Sequence, residues 1–217
     1  MRLQMEAKLL EIEELMLKMS TQVEELIELS IKALLEQDLE LANRIIRLDS
    51  NIDNMEMSIE KKSLDFIALQ NPLAGDLRKV SAIMKMITDL ERIGDHCTNI
   101  ARVVIKNGKT PFVKPLIDIP KMAEIVKLMV TESVDSYVQC DPQLAIEVAK
   151  RDDIVDNLYE TIYLDLLEHM RKSENGENTS QIVNLLFIGR YLERIADHTT
   201  NICERVIYMT TGERMNF

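Results

Sequence analysis

The sequence predicts an all-α protein of two tandem, internally repeated three-helix bundles, six long helices in all. Three observations carry that prediction. Apolar residues recur at alternating steps of three and four along much of the chain, the spacing of a single buried face on an α-helix. The segment LERIGDHCTNIARVVI at 90–105 returns as LERIADHTTNICERVI at 192–207, with 11 of 16 positions identical. The composition, 46 % hydrophobic and 29 % charged with only six Gly, five Pro and no Trp, leaves few residues that interrupt helices. A chain of 217 residues is also long enough to bury a substantial core.

The first helix follows from Met5, Leu9, Ile12, Met16, Met19, Val23, Leu26, Ser30 and Ala33, which form an unbroken seam. The pattern restarts near Gln37, with Asp38 as N-cap, and continues through Leu41, Ile45, Leu48, Ile52, Met55 and Ile59. It breaks at QNPLAGD. Pro72 has no amide hydrogen and biases Asn71 away from helical angles, so it suits the first turn of a third helix. That helix should run to about Asn107, with Gly108 as its stop. Residues 108–120 hold three of the five prolines, which places the units at 1–108 and 119–217 with a linker over 109–118. The second unit repeats the first. One helix spans about Ile119 to Gln139, a second opens on Asp141 and Pro142, and a third follows SENGENTS and ends at Gly212. Helices of about 30 residues are about 45 Å long, so each unit is an elongated bundle.

A net charge of −11 and a pI near 4.9 speak against nucleic acid as a partner, because phosphates are held by basic faces. An acidic chain suits metal cations or basic protein patches. Cys97, Cys140 and Cys203 are odd in number and show no CxxC spacing, so they are expected as small buried hydrophobes in a reducing compartment. Charges within the first eight residues and the lack of a long apolar run predict a cytoplasmic chain.

The chemistry lies in carboxylates beside the buried seams. Positions four apart stand one turn above each other on a helix, so Glu91, Asp95 and Asn99 form one stripe, and Glu193, Asp197 and Asn201 its copy. In the preceding helix, Asp49, Asp53 and Glu56 each follow a seam residue. DSNIDN at 49–54 recurs as DDIVDN at 152–157, so Asp152 and Asp156 repeat that arrangement. Each bundle then carries two acidic stripes facing across a groove. A lone i,i+4 acidic pair is ordinarily a solvated face, as at Glu24/Glu28 and Glu36/Glu40. Recurrence of the whole pattern argues otherwise, because each like-charged pair costs about 0.2–0.5 kcal/mol on a helix and more when buried. A cation between the stripes offsets that cost. Carboxylate and amide oxygens suit Mg²⁺, Mn²⁺, Ca²⁺ or ferric iron better than copper. Arg92 and Arg194 offer a second solution, each neutralising a carboxylate on a neighbouring helix without metal.

Catalytic readings find less support. Ferritin-like di-iron bundles need Glu-x-x-His, but Gly94 and Ala196 stand three residues after Glu91 and Glu193. His96 and His198 directly follow an Asp, about 100° round the helix, and are expected to be structural, hydrogen-bonding across a helix interface. No P-loop or Ser/His/Asp set is present. The reading is non-enzymatic, with a carboxylate-bridged metal-dependent hydrolase or oxidase as the alternative.

The paired LERIGDHCTNIA and YLERIADHTTNICERVIY segments, the QNPLAGDLR element at 70–78 and the two-by-three-helix layout resemble the PhoU family of bacterial phosphate-signalling regulators, over nearly the whole chain. The family's E(D)xxxD signature falls on Asp49/Asp53, Glu91/Asp95, Asp152/Asp156 and Glu193/Asp197. The resemblance implies multinuclear metal clusters on these carboxylates, with iron first and Zn, Mn, Mg, Ca or Ni as alternatives. It also implies a cytoplasmic adaptor, often a homodimer, that negatively regulates phosphate uptake and phosphate-starvation genes. Its implied partners are the ATPase subunit of the Pst ABC transporter and a phosphate-sensing histidine kinase, so that it meets the membrane only through them. Tyr159 stands where Glu56 would recur, so the two sites should differ in charge. Asp76 and Arg78 have no counterpart in the second unit, which confines their partner-binding or structural role to the first.

Overall fold

The computed structural model describes residues 2–172, 176 and 178–217. Its helices are α1 (Arg2–Glu36), α2 (Leu39–Gln70), α3 (Ala74–Asn107), α4 (Asp118–Gln139), α5 (Pro142–Ala149), α6 (Asp152–Lys172) and α7 (Thr179–Thr211). The two tandem units are present, the first as α1–α3 and the second as α4–α7, with its middle helix divided into α5 and α6. No described helix is long and apolar enough to cross a membrane.

Local chemistry sets most boundaries. Asp38 caps α2 by accepting from the amides of Glu40 and Leu41, and Asp141 caps α5 through Gln143 and Leu144. Gly108 and Gly212 end α3 and α7 at φ +61° and +78°, and their amides close back onto the carbonyls of Val104 and Tyr208. Pro72 lies before α3 rather than in its first turn: Asn71 turns the chain at φ +48° and Leu73 takes the cap position. The expected second helix of the second unit is interrupted, so α5 and α6 are separate helices. The amide of Lys150 closes α5 on Ile146, Arg151 accepts the first bonds of α6 from Ile154 and Val155, and its guanidinium pairs with Glu132 of α4 at 2.6 Å. This break makes Asp152 the first residue of α6, whereas Asp49 lies inside α2.

The two units share one core. Buried side chains from Leu9 to Met209 form a continuous hydrophobic cluster, with Met16, Leu90, Ile93, Ile195 and Leu192 fully enclosed. The third helices lie at its centre: α3 packs on α1, α2 and α7, and α7 on α3, α4, α5 and α6. Cys97 and Cys203 are buried as expected, and burial raises both thiols, Cys203 to about 12. Cys140 departs from the expectation. It is exposed at the left-handed C-cap of α4, φ +51°, where the chain turns into α5.

The connection between α3 and α4 is tied down by α7. The side chain of Gln181 accepts from the Val113 amide at 2.7 Å and donates to the Pro111 carbonyl at 2.9 Å, while Asn184 donates to Asn107 and accepts from Lys106. Gln181 and Asn184 are both buried. Truncating Gln181 removes the side-chain partner of the half-buried Val113 amide and of the Pro111 carbonyl, so Gln181→Ala is expected to lower stability by about 1 kcal/mol in urea denaturation, with little change in helical content.

Candidate metal centres

In the first unit α2 and α3 meet at Gly94, where an added Cβ would find only ordinary van der Waals contact. A Cβ there would lie 3.4 Å from the Asp49 carboxylate and 3.5 Å from Ile52. This contact brings the stripe of Asp49 and Asp53 against that of Glu91 and Asp95. Burial, followed by the charges of Asp95, Glu56 and Asp53, pushes Glu91 up to about 7 against the opposing Arg92. Burial also raises Asp49, with Asp53 and Asp95 adding to it. One oxygen of Asp49 is fully enclosed and makes no hydrogen bond of normal geometry, although the buried Thr98 hydroxyl, itself unpartnered, lies near enough to draw the carboxyl down against the effect of burial. Glu56 accepts from the Thr88 hydroxyl at 3.1 Å, and Asn99 accepts from Arg102 at 2.8 Å.

The second unit repeats this between α6 and α7. Asp152 is pushed up to about 7 by burial and then by Asp156, Asp197, Asp153 and Glu193. Asp156 and Glu193 are also raised, chiefly by burial. One oxygen of Asp152 is enclosed and unpartnered. Asp49 and Asp152 are the repeat-equivalent pair, so the same enclosed acceptor occurs twice. A buried acceptor without a donor is costly, and a hard cation or a proton satisfies it.

The arginines are placed differently from expectation. Arg92 bonds Asp95 at 3.0 Å and approaches Glu91 at 3.3 Å, and Arg194 pairs with Asp197 at 3.2 Å, all on their own helices. At i,i+3 the helix presents both groups on one face within short reach. Asn201 also departs from the ligand stripe: its amide donates to Asp89 across the α3–α7 seam at 3.2 Å. Among the described residues no three His, Cys, Asp or Glu side chains converge on a point able to hold a metal ion. The clusters are grooves of oxygen donors in which Asp95, Glu193 and Asp197 are engaged by arginines, and full ligation requires those side chains to turn.

A family model described as PhoU domain matches the chain twice, over residues 16–104 and 119–206. The chain belongs to the PhoU family. It is 40 % identical over 212 residues to a protein of Clostridium acetobutylicum named phosphate-specific transport system accessory protein PhoU homolog, covering 97 % of this chain and 96 % of that one. A homologue of the same name from Aquifex aeolicus is 40 % identical over 203 residues, covering 94 % and 91 %. Among solved structures, PhoU from Pseudomonas aeruginosa superposes with a TM-score of 0.89 at 33 % identity, covering 96 % of this chain and 99 % of that one. The phosphate transport system regulatory protein PhoU from Streptococcus pneumoniae gives 0.91 at 29 % identity, covering 98 % and 100 %.

Each PhoU domain thus carries one cluster, and the two differ where Glu56 and Thr88 are replaced by Tyr159 and Arg190. Arg190 pairs with Glu193 and stands 6.0 Å from the Tyr159 ring centre. Gly189 leaves room for that ring, since a Cβ there would meet it at 3.2 Å. Arg190 was not singled out by sequence, although it lies three residues before Glu193 and could have been found by the i,i+3 rule. The histidines lie between the domains. His198 bonds Asp89 at 2.9 Å, as the expected interface bond, while His96 stacks on Tyr191 and faces His198, its Nδ1 unpartnered. Asp76 and Arg78 belong to neither cluster. Arg78 donates to the Met209 carbonyl at 3.4 Å near the end of α7, 13 residues and about 20 Å along α3 from Glu91.

These raised carboxyls set a pH dependence. Glu91 and Asp152 hold protons more tightly folded, at about 7, than at their ordinary values of 4.5 and 3.8. Stability of the metal-free protein is therefore full below the unfolded values and falls as pH rises through about 7. Partial exposure reduces the effect to about 1–2 kcal/mol between pH 5 and 8. Urea titrations of Glu91→Gln/Asp152→Asn protein should show most of that dependence gone.

Proposed function

We propose that this PhoU-family chain is a non-enzymatic regulator of phosphate homeostasis, a cytoplasmic, dimeric, metal-binding adaptor that restrains phosphate uptake and phosphate-starvation signalling. It acts through the ATPase subunit of the Pst transporter and the phosphate-sensing histidine kinase. The observation that carries the reading is the match of both halves to PhoU domains, over nearly the full length of relatives named as accessory or regulatory proteins of phosphate transport.

The oxygen donors are of a kind suited to a hard cation, iron or another metal of that class, once the side chains held by arginines turn toward one another. Asp49, Asp53, Glu56, Glu91 and Asp95 would hold it in the first domain, and Asp152, Asp156, Glu193 and Asp197 in the second. Bound there, it supplies positive charge that neutralises the facing stripes and ties α2 to α3 and α6 to α7. The side chains contribute orientation: the enclosed oxygens of Asp49 and Asp152 provide fixed acceptors. Deleting the gene should leave alkaline phosphatase and the transporter expressed in high phosphate, with uptake raised. Normal repression and normal uptake in the deletion strain would overturn the regulatory role.

A further inference from the structure

The repeat places two arginines level with the middle of the α3–α7 pair. Asp89 of α3 meets His198 of α7, and His96 of α3 meets Tyr191 of α7. At the offset of 102 residues that relates the two motifs, Asp89 corresponds to Tyr191 and His96 to His198. These contacts are therefore images of each other about an internal two-fold axis through the antiparallel α3–α7 pair. Arg92 lies three residues after Asp89 and four before His96, and Arg194 has the same place between Tyr191 and His198. Both stand level with the axis, one on each helix.

Their orientation follows from helix geometry. Arg92 lies about 60° from Asp89 and about 40° from His96 around α3, on the ridge between the seam and the acidic stripe, and Arg194 matches it on α7. Both are about half exposed, at 54 % and 49 %. Both charges are felt by His96, which is lowered to about 4 first by burial and then by His198, with Arg194 and Arg92 contributing. The salt bridges of Arg92 go to Glu91 and Asp95, and that of Arg194 to Asp197. Each arginine is held by a carboxylate that also belongs to a candidate metal cluster.

We propose that Arg92 and Arg194 together form one oxyanion site on the internal two-fold axis, of a kind to take a tetrahedral dianion of the phosphate class, and that Asp95 and Asp197 hold it shut. Guanidinium groups pair with such oxyanions through parallel N–H donors, and two of them from opposite helices match a tetrahedral ligand better than a planar monoanion. Asp89 is the carboxylate at the seam that opposes an anion, and it is engaged by His198 and Asn201. When Asp95 and Asp197 turn to ligate cations, the arginines are released, so cation loading opens the site. That last link rests on the metal reading above; the site itself does not.

Isothermal titration with inorganic phosphate at pH 7 tests both parts. Metal-free Asp95→Asn/Asp197→Asn protein, freed of the Arg92–Asp95 and Arg194–Asp197 pairs so that only the longer Arg92–Glu91 contact is left, and checked for fold by circular dichroism, should bind one phosphate per chain about tenfold more tightly than metal-free wild type, and acetate far less well. Adding Arg92→Gln or Arg194→Gln singly should remove that gain. No gain in the Asn variant, two phosphates per chain, or binding that survives either Arg change overturns the shared site. Manganese-loaded wild type should acquire phosphate binding that Arg92→Gln weakens. If it does not while the Asn variant binds, the cation-opening step is overturned and the oxyanion site stands.

Discussion

Adding a cation of the fitting class to metal-free protein at pH 7.5 is expected to raise its unfolding midpoint by on the order of 20 °C. Ligand binding to the folded state alone adds about 4 kcal/mol per site at a thousandfold excess over Kd. Two independent clusters give about twice that, and a chain of this size gains about 2–4 °C per kcal/mol. The reason lies in the enclosed oxygens of Asp49 and Asp152 and in the burial, reinforced by neighbouring carboxylates, that holds Glu91 and Asp152 near 7. Asp49→Asn/Asp152→Asn protein should show the opposite balance: more stable without metal, since a repelled buried charge is gone, and little stabilised by adding it. Differential scanning calorimetry with and without chelator measures both. An equal metal-induced rise in wild type and variant would remove these two carboxylates from the sites.

The second large effect concerns cooperativity. A chain of two similar domains joined by a linker ordinarily unfolds in two steps when few contacts cross between them. Here the third helices form the middle of a single core, and the α3–α7 seam carries the Asp89–His198 bond, the His96–Tyr191 stack and the Arg78–Met209 contact. The metal-free chain is therefore expected to unfold in one transition, with coincident curves by circular dichroism and by the fluorescence of a reporter placed in either domain. Ile93→Ala, at a fully buried position of α3, should lower stability by about 2–5 kcal/mol and shift the single midpoint of both reporters together. A separate early transition confined to the first domain would show that the two cores are energetically independent.

Much of this was legible because it is written locally. The α1 seam, the caps at Asp38 and Asp141 and the stops at Gly108 and Gly212 depend on residues within a few positions of one another. The break between α5 and α6 was not legible: Lys150 and Arg151 are ordinary helix formers, and the turn is fixed by Glu132 on another helix. Periodicity also shows which face is buried without showing against what. A usable signal did exist in α3, where Ala82–Ile83, Met86–Ile87 and Ile100–Ala101 are adjacent buried pairs. Such a wide apolar arc marks a helix packed on several sides, and so the merger of the two cores.

The carboxylate stripes divide in the same way. Their placement beside the seams followed from i,i+4 spacing, and the repeat implied two grooves. What each polar side chain bonds did not follow. Asn201 leaves its stripe because Asp89, on the other domain's third helix, offers a partly buried acceptor, and no spacing within α7 encodes that helix's proximity. Arg92 and Arg194 chose carboxylates one turn away over those of another helix because the short i,i+3 reach costs little side-chain freedom.

The measurement that bears most directly on the whole account is the metal content of protein purified without chelator, compared between wild type, Asp49→Ala, Asp152→Ala and the double variant. Two separate carboxylate sites predict that each single change removes the metal of one domain and that the double variant holds essentially none. Equal metal in all four proteins would contradict it.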